Sequence, residues 1–439
     1  MSFRKHREER AGLARQEQNK HTNKRDKKDK RKHLGIYIHI PFCVQKCFYC
    51  DFLSAAVSAE AIEQYVHALI KEIERIAPFY ETDQADTVFF GGGTPSILTT
   101  TLFGSIMEAL RRSFFVSEDA EITIESNPGT LDMEKLQCYR EYGVNRISIG
   151  LQSTEDEELK LLGRIHKMGD FLENFYAARQ AGFHNINIDI MSALPDQTIS
   201  SYKNTLQQII SLQPEHISAY SLMLEEHTPL ERMVTEWKKN HLHRMPGEEQ
   251  ERQMYYDTKE CLHAHGYERY EISNYAKPHC QCRHNLKYWN RENYLGLGLG
   301  AASMVENVRW KNIEDLNKYM LFWQSPLPEE EQLTTIRSTE ERKESKRHID
   351  IFGAGIKEIQ KLSVEEEMEE FMFLGLRCTK GIEIKAFQDC FHRDIQEVYG
   401  EVLDKWIAQN MLICKEGRIY FSDKGLDVSN YILSDFIFN

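Results

Sequence analysis

From residue 34 onward, short apolar runs alternate with stretches whose apolar positions recur every three or four residues. GIYIHIP (35–41), DTVFFGGGTP (86–95), EITIESNPG (121–129), NRISIGLQS (145–153), INIDIMSALP (186–195) and HISAYSLMLE (216–225) are rich in Ile, Val, Phe or Tyr. Each stops at Gly, Pro or a polar residue, so each predicts a strand. Between them, segments such as AEAIEQYVHALIKEIERIA and SSYKNTLQQIISLQ carry helical spacing. Strand and helix alternating through six units predict a parallel sheet with crossover helices. With that many units and no GxGxxG, the pattern favours an α/β barrel, open or closed, over a Rossmann sheet.

In such a barrel the chemistry gathers where strands end and loops begin. The unusual residues fall at those places. Cys43, Cys47 and Cys50 follow the first run, and Gly91, Gly92, Gly93 and Thr94 close the second. Glu125, Gln152 and Asp189 end the third, fourth and fifth. A core explains the apolar letters but not polar groups recurring at one rim.

Beyond about residue 310 the pattern changes. The span 311–364 reads as a linker or insertion, because 329–361 is densely charged. Residues 365–439 read as helices followed by a hairpin, LICKEG and RIYFSDKG, in a winged-helix-like arrangement. A DNA-binding wing needs a basic face, and this segment is not clearly basic, which favours an interaction or lid module.

Charge divides the chain more sharply than hydropathy does. The whole carries a net −13, yet residues 1–33 hold 13 Lys/Arg against 5 Asp/Glu. So polar a tail cannot offset its ordering entropy and is expected to be disordered, a solvated extension or a weak contact for RNA, anionic lipid or an acidic partner. The acidic remainder argues against nucleic-acid binding by the main domain, 34–310. No run of 18 apolar residues occurs, and the N-terminus lacks the apolar segment of a secretory signal. A cytoplasmic location follows as the expectation, with the ten cysteines mostly reduced.

HIPFCVQKCFYCDF (39–52) therefore does not predict a disulfide. Zinc usually takes four ligands, often as two separated pairs, whereas this loop offers three thiols spaced C-x3-C-x2-C. Three thiolates can hold three irons of a cubane and leave the fourth iron open. Phe42, Phe48, Tyr49 and Phe52 would shield the sulfurs from water. An iron–sulfur site is favoured over zinc and over unliganded thiols.

This loop after a first strand resembles the radical S-adenosylmethionine superfamily. YIHIPFC, FFGGGTPS, ESNPGTL, NRISIGLQS, LLGRIH, NIDIMSALPDQT, HISAYSLMLEEHTPL, YEISNYAKP, HNLKYW and YLGLGLGAAS follow in order from 37 to 303, with FLGLRCTKGI and DKGLDVSNYIL beyond. Together they resemble the HemW heme chaperones, relatives of the oxygen-independent coproporphyrinogen III dehydrogenases. The resemblance implies a partial (β/α)6 TIM-like barrel with a smaller, mostly helical C-terminal domain. It implies a [4Fe-4S] cluster on Cys43, Cys47 and Cys50, S-adenosylmethionine, heme, and heme-accepting partners, respiratory proteins among them. A homodimer and a peripheral membrane contact are further expectations.

The same resemblance assigns roles. Tyr37 lies near the cofactor and Tyr49 presents backbone to the adenine. Gly92, Gly93 and Thr94 let backbone approach the methionine amino group, since glycine has no side chain in the way. Glu125 holds the ammonium and Arg164 the carboxylate, for which its forked donors suit a planar anion. Gln152 and Asp189 meet ribose hydroxyls; Met223 and Ala302 fall near the adenine. His284, in HNLKYW, is the candidate heme contact, with Tyr288 and Trp289 able to stack on a porphyrin; the alternative is a histidine hydrogen-bonded inside the domain. HCQCRH (279–284) leaves open a second metal site or a heme-proximal thiolate at Cys280 or Cys282. A radical decarboxylase, or another radical catalyst, is the competing activity, against which Phe52 stands where the dehydrogenases carry a further cysteine.

Overall fold

The computed structural model describes residues 31–326 and 355–438. The basic tail, up to its last three residues, and the charged run 327–354 lie outside the described residues. Six strands, β1 (Lys32–Ile40), β2 (Asp83–Gly92), β3 (Val116–Ser126), β4 (Arg146–Gln152), β5 (Ile186–Ser192) and β6 (His216–Ser221), lie side by side in chain order, every neighbouring pair parallel. A helical crossover joins each to the next, as parallel neighbours require.

Period two decides which residues face where. In β1, Leu34, Ile36, Ile38 and Ile40 are at most 1% exposed and join the apolar cluster shared with the flanking helices. The alternate residues of β3, β4 and β5 bring Glu121, Thr123, Glu125, Arg146, Ser148, Asn187 and Asp189 onto the other face, the lumen. The helices begin on side-chain caps: Ser58 accepts from the Ala61 N–H, Thr99 from Leu102, Asp132 from Lys135 and Thr228 from Glu231. Each satisfies a donor that the first helical turn leaves orphaned.

Among the described residues the sheet does not close. Beyond β1 it continues through β9 (Tyr294–Leu297), parallel, then antiparallel β10 (Ala302–Val305), β11 (Val308–Asn312) and β12 (Ile356–Lys361). Beyond β6 it continues through β8 (Asn274–Ala276) and β7 (Glu268–Arg269). The barrel is therefore open, with edges at β12 and β7. Of the span 311–364, the helix Leu316–Gln324 and β12 are described: the helix adds Tyr319 and Trp323 to the main core, and β12 pairs with β11.

A separate apolar cluster, built on Met372, Phe387, Leu403, Ile419 and Ile432, holds the C-terminal module. Its helices Val364–Gly375, Ile384–Phe391 and Ile395–Ala408 precede the hairpin β14 (Leu412–Lys415) and β15 (Arg418–Phe421), with β13 (Ile382–Glu383) on the far side of β15.

Candidate functional site

The loop after β1 is tied down at both ends before it presents any sulfur. Cys43 N–H donates to the Ala55 carbonyl at 3.1 Å, and Ala55 N–H returns to Pro41 at 2.9 Å. Phe42 is buried edge-on against Tyr65, ring centroids 5.1 Å apart. Farther along, Phe48 donates to the Leu162 carbonyl and accepts from Leu230 N–H, both at 2.9 Å. The loop after β2 zips onto this base: Gly93 N–H reaches Ile40 and Thr94 N–H reaches Phe42. A Cβ on Gly93 would stand 2.6 Å from the Phe42 carbonyl oxygen, and one on Gly92, at φ +110°, would stand 2.5 Å from the His39 ring. Only glycine fits either place.

The three thiols edge a cavity of about 350 Å3 at the C-terminal ends of the strands. Glu125, Asp189, Gln152, Arg164, Gly92, Gly93 and Tyr49 line it as well. Gln152 reaches it through a local irregularity: β4 and β5 slip register between Gly150 and Gln152, and Gln152 adopts φ 74°. Such bulges re-aim a side chain. Thr94 lies behind the sulfurs, its hydroxyl donating to Cys43 Sγ at 3.3 Å while accepting from Asn127 Nδ2 at 2.8 Å.

Among the described residues, two polar groups facing this cavity, Glu125 and Arg164, are under-partnered. Glu125 accepts one hydrogen bond, from Gly92 N–H at 3.1 Å. Desolvation and then the nearby Asp189 charge push its carboxyl up to about 8, so at neutral pH it holds a proton until a cation arrives. Arg164 donates to Asn127 Oδ1 at 2.6 Å and Tyr49 hydroxyl at 2.7 Å, both neutral groups, and its buried Nε has no partner among the described residues. Asp189 is held by Asn187 Nδ2 at 2.8 Å and Ser148 hydroxyl at 3.2 Å. A carboxyl group and a guanidinium thus face one cavity without pairing with each other, a donor set that fits a zwitterion.

Not every expected residue is there. Tyr37 does not line the cavity; its hydroxyl bonds His39 Nδ1 at 3.0 Å and its ring stacks on Phe89. Met223 is 71% exposed, and Ala302, exposed at the start of β10, likewise lies outside the lining. Phe52 is 64% exposed at the cavity edge and does not seal the sulfurs. His284 sits in the helix Arg283–Trp289, 1% exposed, with Nδ1 on Thr87 hydroxyl at 2.8 Å and Nε2 on Tyr288 hydroxyl at 2.9 Å. Both ring nitrogens are occupied, which is the domain-internal alternative. Cys282 caps that helix, so residues 280, 282 and 284 do not share an extended face. Sequence reasoning missed Asn127, the amide that joins Arg164 to Thr94. The signal was present: Asn127 lies two residues beyond Glu125, on the same face of the chain.

All three cluster-loop cysteines are free thiols, and among the described residues no three His, Cys, Asp or Glu side chains converge on one metal ion. Three thiols of one loop, with no fourth ligand beside them among the described residues, fit a polynuclear group that leaves one iron open better than a four-ligand zinc site.

The class is marked by both fold and site. The profile of the radical SAM superfamily matches residues 37–209, and that of the HemN C-terminal domain matches residues 362–428. The coproporphyrinogen III oxidase HemN of Escherichia coli has the same fold, with a TM-score of 0.74 and 22% identity, 92% of this chain covering 90% of that one. The heme chaperone HemW of Bacillus subtilis is 34% identical over 92% of this chain and 99% of its own length. That of Lactococcus lactis is 31% identical over 92% and 97%. The chain belongs to the HemW heme chaperone family.

Proposed function

We propose that this protein is a cytoplasmic heme chaperone. It carries a [4Fe-4S] cluster on Cys43, Cys47 and Cys50, takes S-adenosylmethionine in the adjoining cavity, binds heme and passes it to respiratory and other heme proteins. The observation that carries the reading is the convergence around one cavity of three free thiols of one loop with Glu125 and Arg164, which do not pair with each other. Membership of the HemW family supports the heme part. Among the described residues no helix is long and apolar enough to cross a membrane; the basic residues 1–33 supply the charge for a peripheral contact with an anionic surface.

A cluster held by Cys43, Cys47 and Cys50 would supply, when reduced, an electron for the sulfonium of the bound nucleotide. The chain supplies placement. Burial pushes the thiols of Cys47 and Cys50 up, so loading the site releases their protons. Glu125 gives up its proton to face the ammonium, while Arg164, fixed by Asn127 and Tyr49, turns its unpartnered edge to the carboxylate. Gln152 and Asp189, which line the same cavity, would hold the ribose hydroxyls. Thr94 donates to the Cys43 sulfur and so fixes where that side chain points.

The test is anaerobic. Reconstituted protein is titrated with heme, and separately incubated with coproporphyrinogen III, reductant and S-adenosylmethionine. Retained heme without vinyl-group formation is expected; turnover to protoporphyrinogen overturns the reading in favour of the decarboxylase.

A further inference from the structure

Where an arginine holds this fold together, it meets a carboxylate. Arg179 forks onto Glu215, Nη1 to Oε2 at 2.8 Å and Nη2 to Oε1 at 3.0 Å, and Arg291 Nε lies 3.2 Å from Glu370. Arg146 has no such partner. It opens β4 on the lumen face, is 2% exposed, and makes no hydrogen bond or ion pair among the described residues; its Nε is buried outright. A charge buried without a partner is costly, far more so than a neutral polar group. Directly across the sheet stands Thr123 of β3, fully buried, whose hydroxyl likewise has no partner among the described residues. Neighbouring strands lie roughly 5 Å apart, so the two side chains leave the sheet side by side.

The surrounding groups are already engaged. Glu121 accepts from the backbone N–H of Arg283 and of His284 and from the Cys282 thiol. Asp189 accepts from Asn187 and Ser148. His216 bonds Asn187 Oδ1 at 2.6 Å and the Tyr270 hydroxyl at 2.9 Å, and His284 has both nitrogens occupied. What remains on this wall is a surplus of donors, a whole guanidinium fork and one hydroxyl. Such a set calls for a ligand that only accepts. A guanidinium edge matches a planar oxyanion through two parallel bonds. Glu121 and Asp189 lie close enough to feel the guanidinium charge and would repel a dianion. Burial pushes the Asp189 carboxyl up, which eases the entry of a single negative charge. Neither Arg146 nor Thr123 lines the cavity at the cluster loop.

We propose that Arg146 and Thr123 hold a small, planar, singly charged oxyanion, of the formate or bicarbonate class, in the lumen beneath the cavity at the cluster loop. The guanidinium donates to two of its oxygens and the Thr123 hydroxyl to one, with no covalent bond made or broken. The anion supplies the counter-charge that buried Lys287 takes from Asp86 and Glu292.

Full-length, anaerobically purified protein is exchanged into sodium gluconate, a bulky anion. Its melting temperature is followed as formate, or in a second arm bicarbonate, replaces gluconate at constant pH and ionic strength. The parent should melt higher along a saturating curve, by roughly 3 °C at about a hundred times the half-saturating concentration. The arm with the lower half-saturation identifies the anion. Thr123→Val, which keeps the shape, should need about fivefold more of it. Arg146→Met removes an unpaired buried charge, so it should melt no lower than the parent in gluconate and lose the response. Added S-adenosylmethionine should leave the half-saturating concentration in place. A parent that melts alike in all three salts holds only water at Arg146, and the site is overturned. It is overturned equally if Arg146→Met keeps the parent's response, or if the nucleotide abolishes it, which would give Arg146 to the cofactor. Should Arg146→Met fail to fold, the parent and Thr123→Val decide: equal half-saturation in the two rejects the site.

Discussion

The two ends of the barrel lumen use the same residue types to opposite effect. At the lower end Glu121 accepts from the backbone N–H of Arg283 and of His284, each at 3.0 Å, and from Cys282 Sγ at 3.5 Å. It caps the helix that plugs the opening, where a carboxylate also suits the helix dipole. His284 has both nitrogens bonded, and Lys287, 3% exposed, lies 2.9 Å from both Asp86 and Glu292. At the upper end Glu125, two repeats of the period-two pattern farther along the same strand, accepts a single bond, and Arg164 keeps a buried donor free among the described residues. Saturated groups hold a structure together; groups left short of partners are available for a ligand. Residue identity alone does not separate the two.

The largest contrast concerns sulfur. Cys47→Ala should leave anaerobically reconstituted protein almost without iron and acid-labile sulfide, because a three-thiolate site has no spare ligand. Cys414→Ala, exposed in the C-terminal hairpin, should leave both at the parent level. Equal losses in the two variants would remove the cluster loop from its assigned role.

Next come the two glutamates. Glu121→Ala strips the plug helix of its acceptor and leaves buried N–H groups unpaired, so denaturant unfolding should show a loss of roughly 3 kcal/mol. Glu125→Gln should act in the reverse direction. A carboxyl raised to about 8 in the folded chain binds more protons than in the unfolded chain. Its contribution is fully present below the unfolded pKa and is lost as pH rises through about 8. The neutral amide has no such loss, so the ligand-free variant should melt higher than the parent at pH 8.5 and differ little at pH 5. The same substitution should weaken S-adenosylmethionine binding roughly tenfold to a hundredfold by equilibrium dialysis, the worth of a charge-assisted bond. A variant that loses stability at pH 8.5 would place Glu125 with the saturated groups below.

This contrast marks what the sequence could disclose. The six strands, the rim on which Cys43, Gly93, Glu125 and Asp189 converge, and the C-terminal hairpin all follow from period and punctuation, which are local. His284 did not, because its fate depends on Thr87, almost two hundred residues away, and on Tyr288, one helical turn along. The helical turn at Cys282 was equally hidden: its acceptor is Glu121 of a distant strand. Met223 and Ala302 came from resemblance to other chains, and their own side chains carry no signal that would place them. Asn127 and Arg146, by contrast, were readable: each is a polar letter in register with lumen-facing residues of a strand.

The smallest effect probes how finely the upper end is tuned. Thr94→Val keeps shape and removes the hydroxyl that donates to Cys43 Sγ, leaving Asn127 Nδ2 without its acceptor. Iron content should stay at the parent level, since the thiol itself remains. The donor favours the more negative, reduced state of whatever the sulfur ligates, so its loss should lower the reduction potential. One hydrogen bond of about 1 kcal/mol corresponds to roughly 40 mV for a single electron, readable by anaerobic potentiometric titration followed by electron paramagnetic resonance. Thr94→Ser, which retains the donor, should sit within about a quarter of that shift. A potential that does not move in the valine variant would mean that Thr94 serves only to close the loop against Phe42 through its backbone N–H.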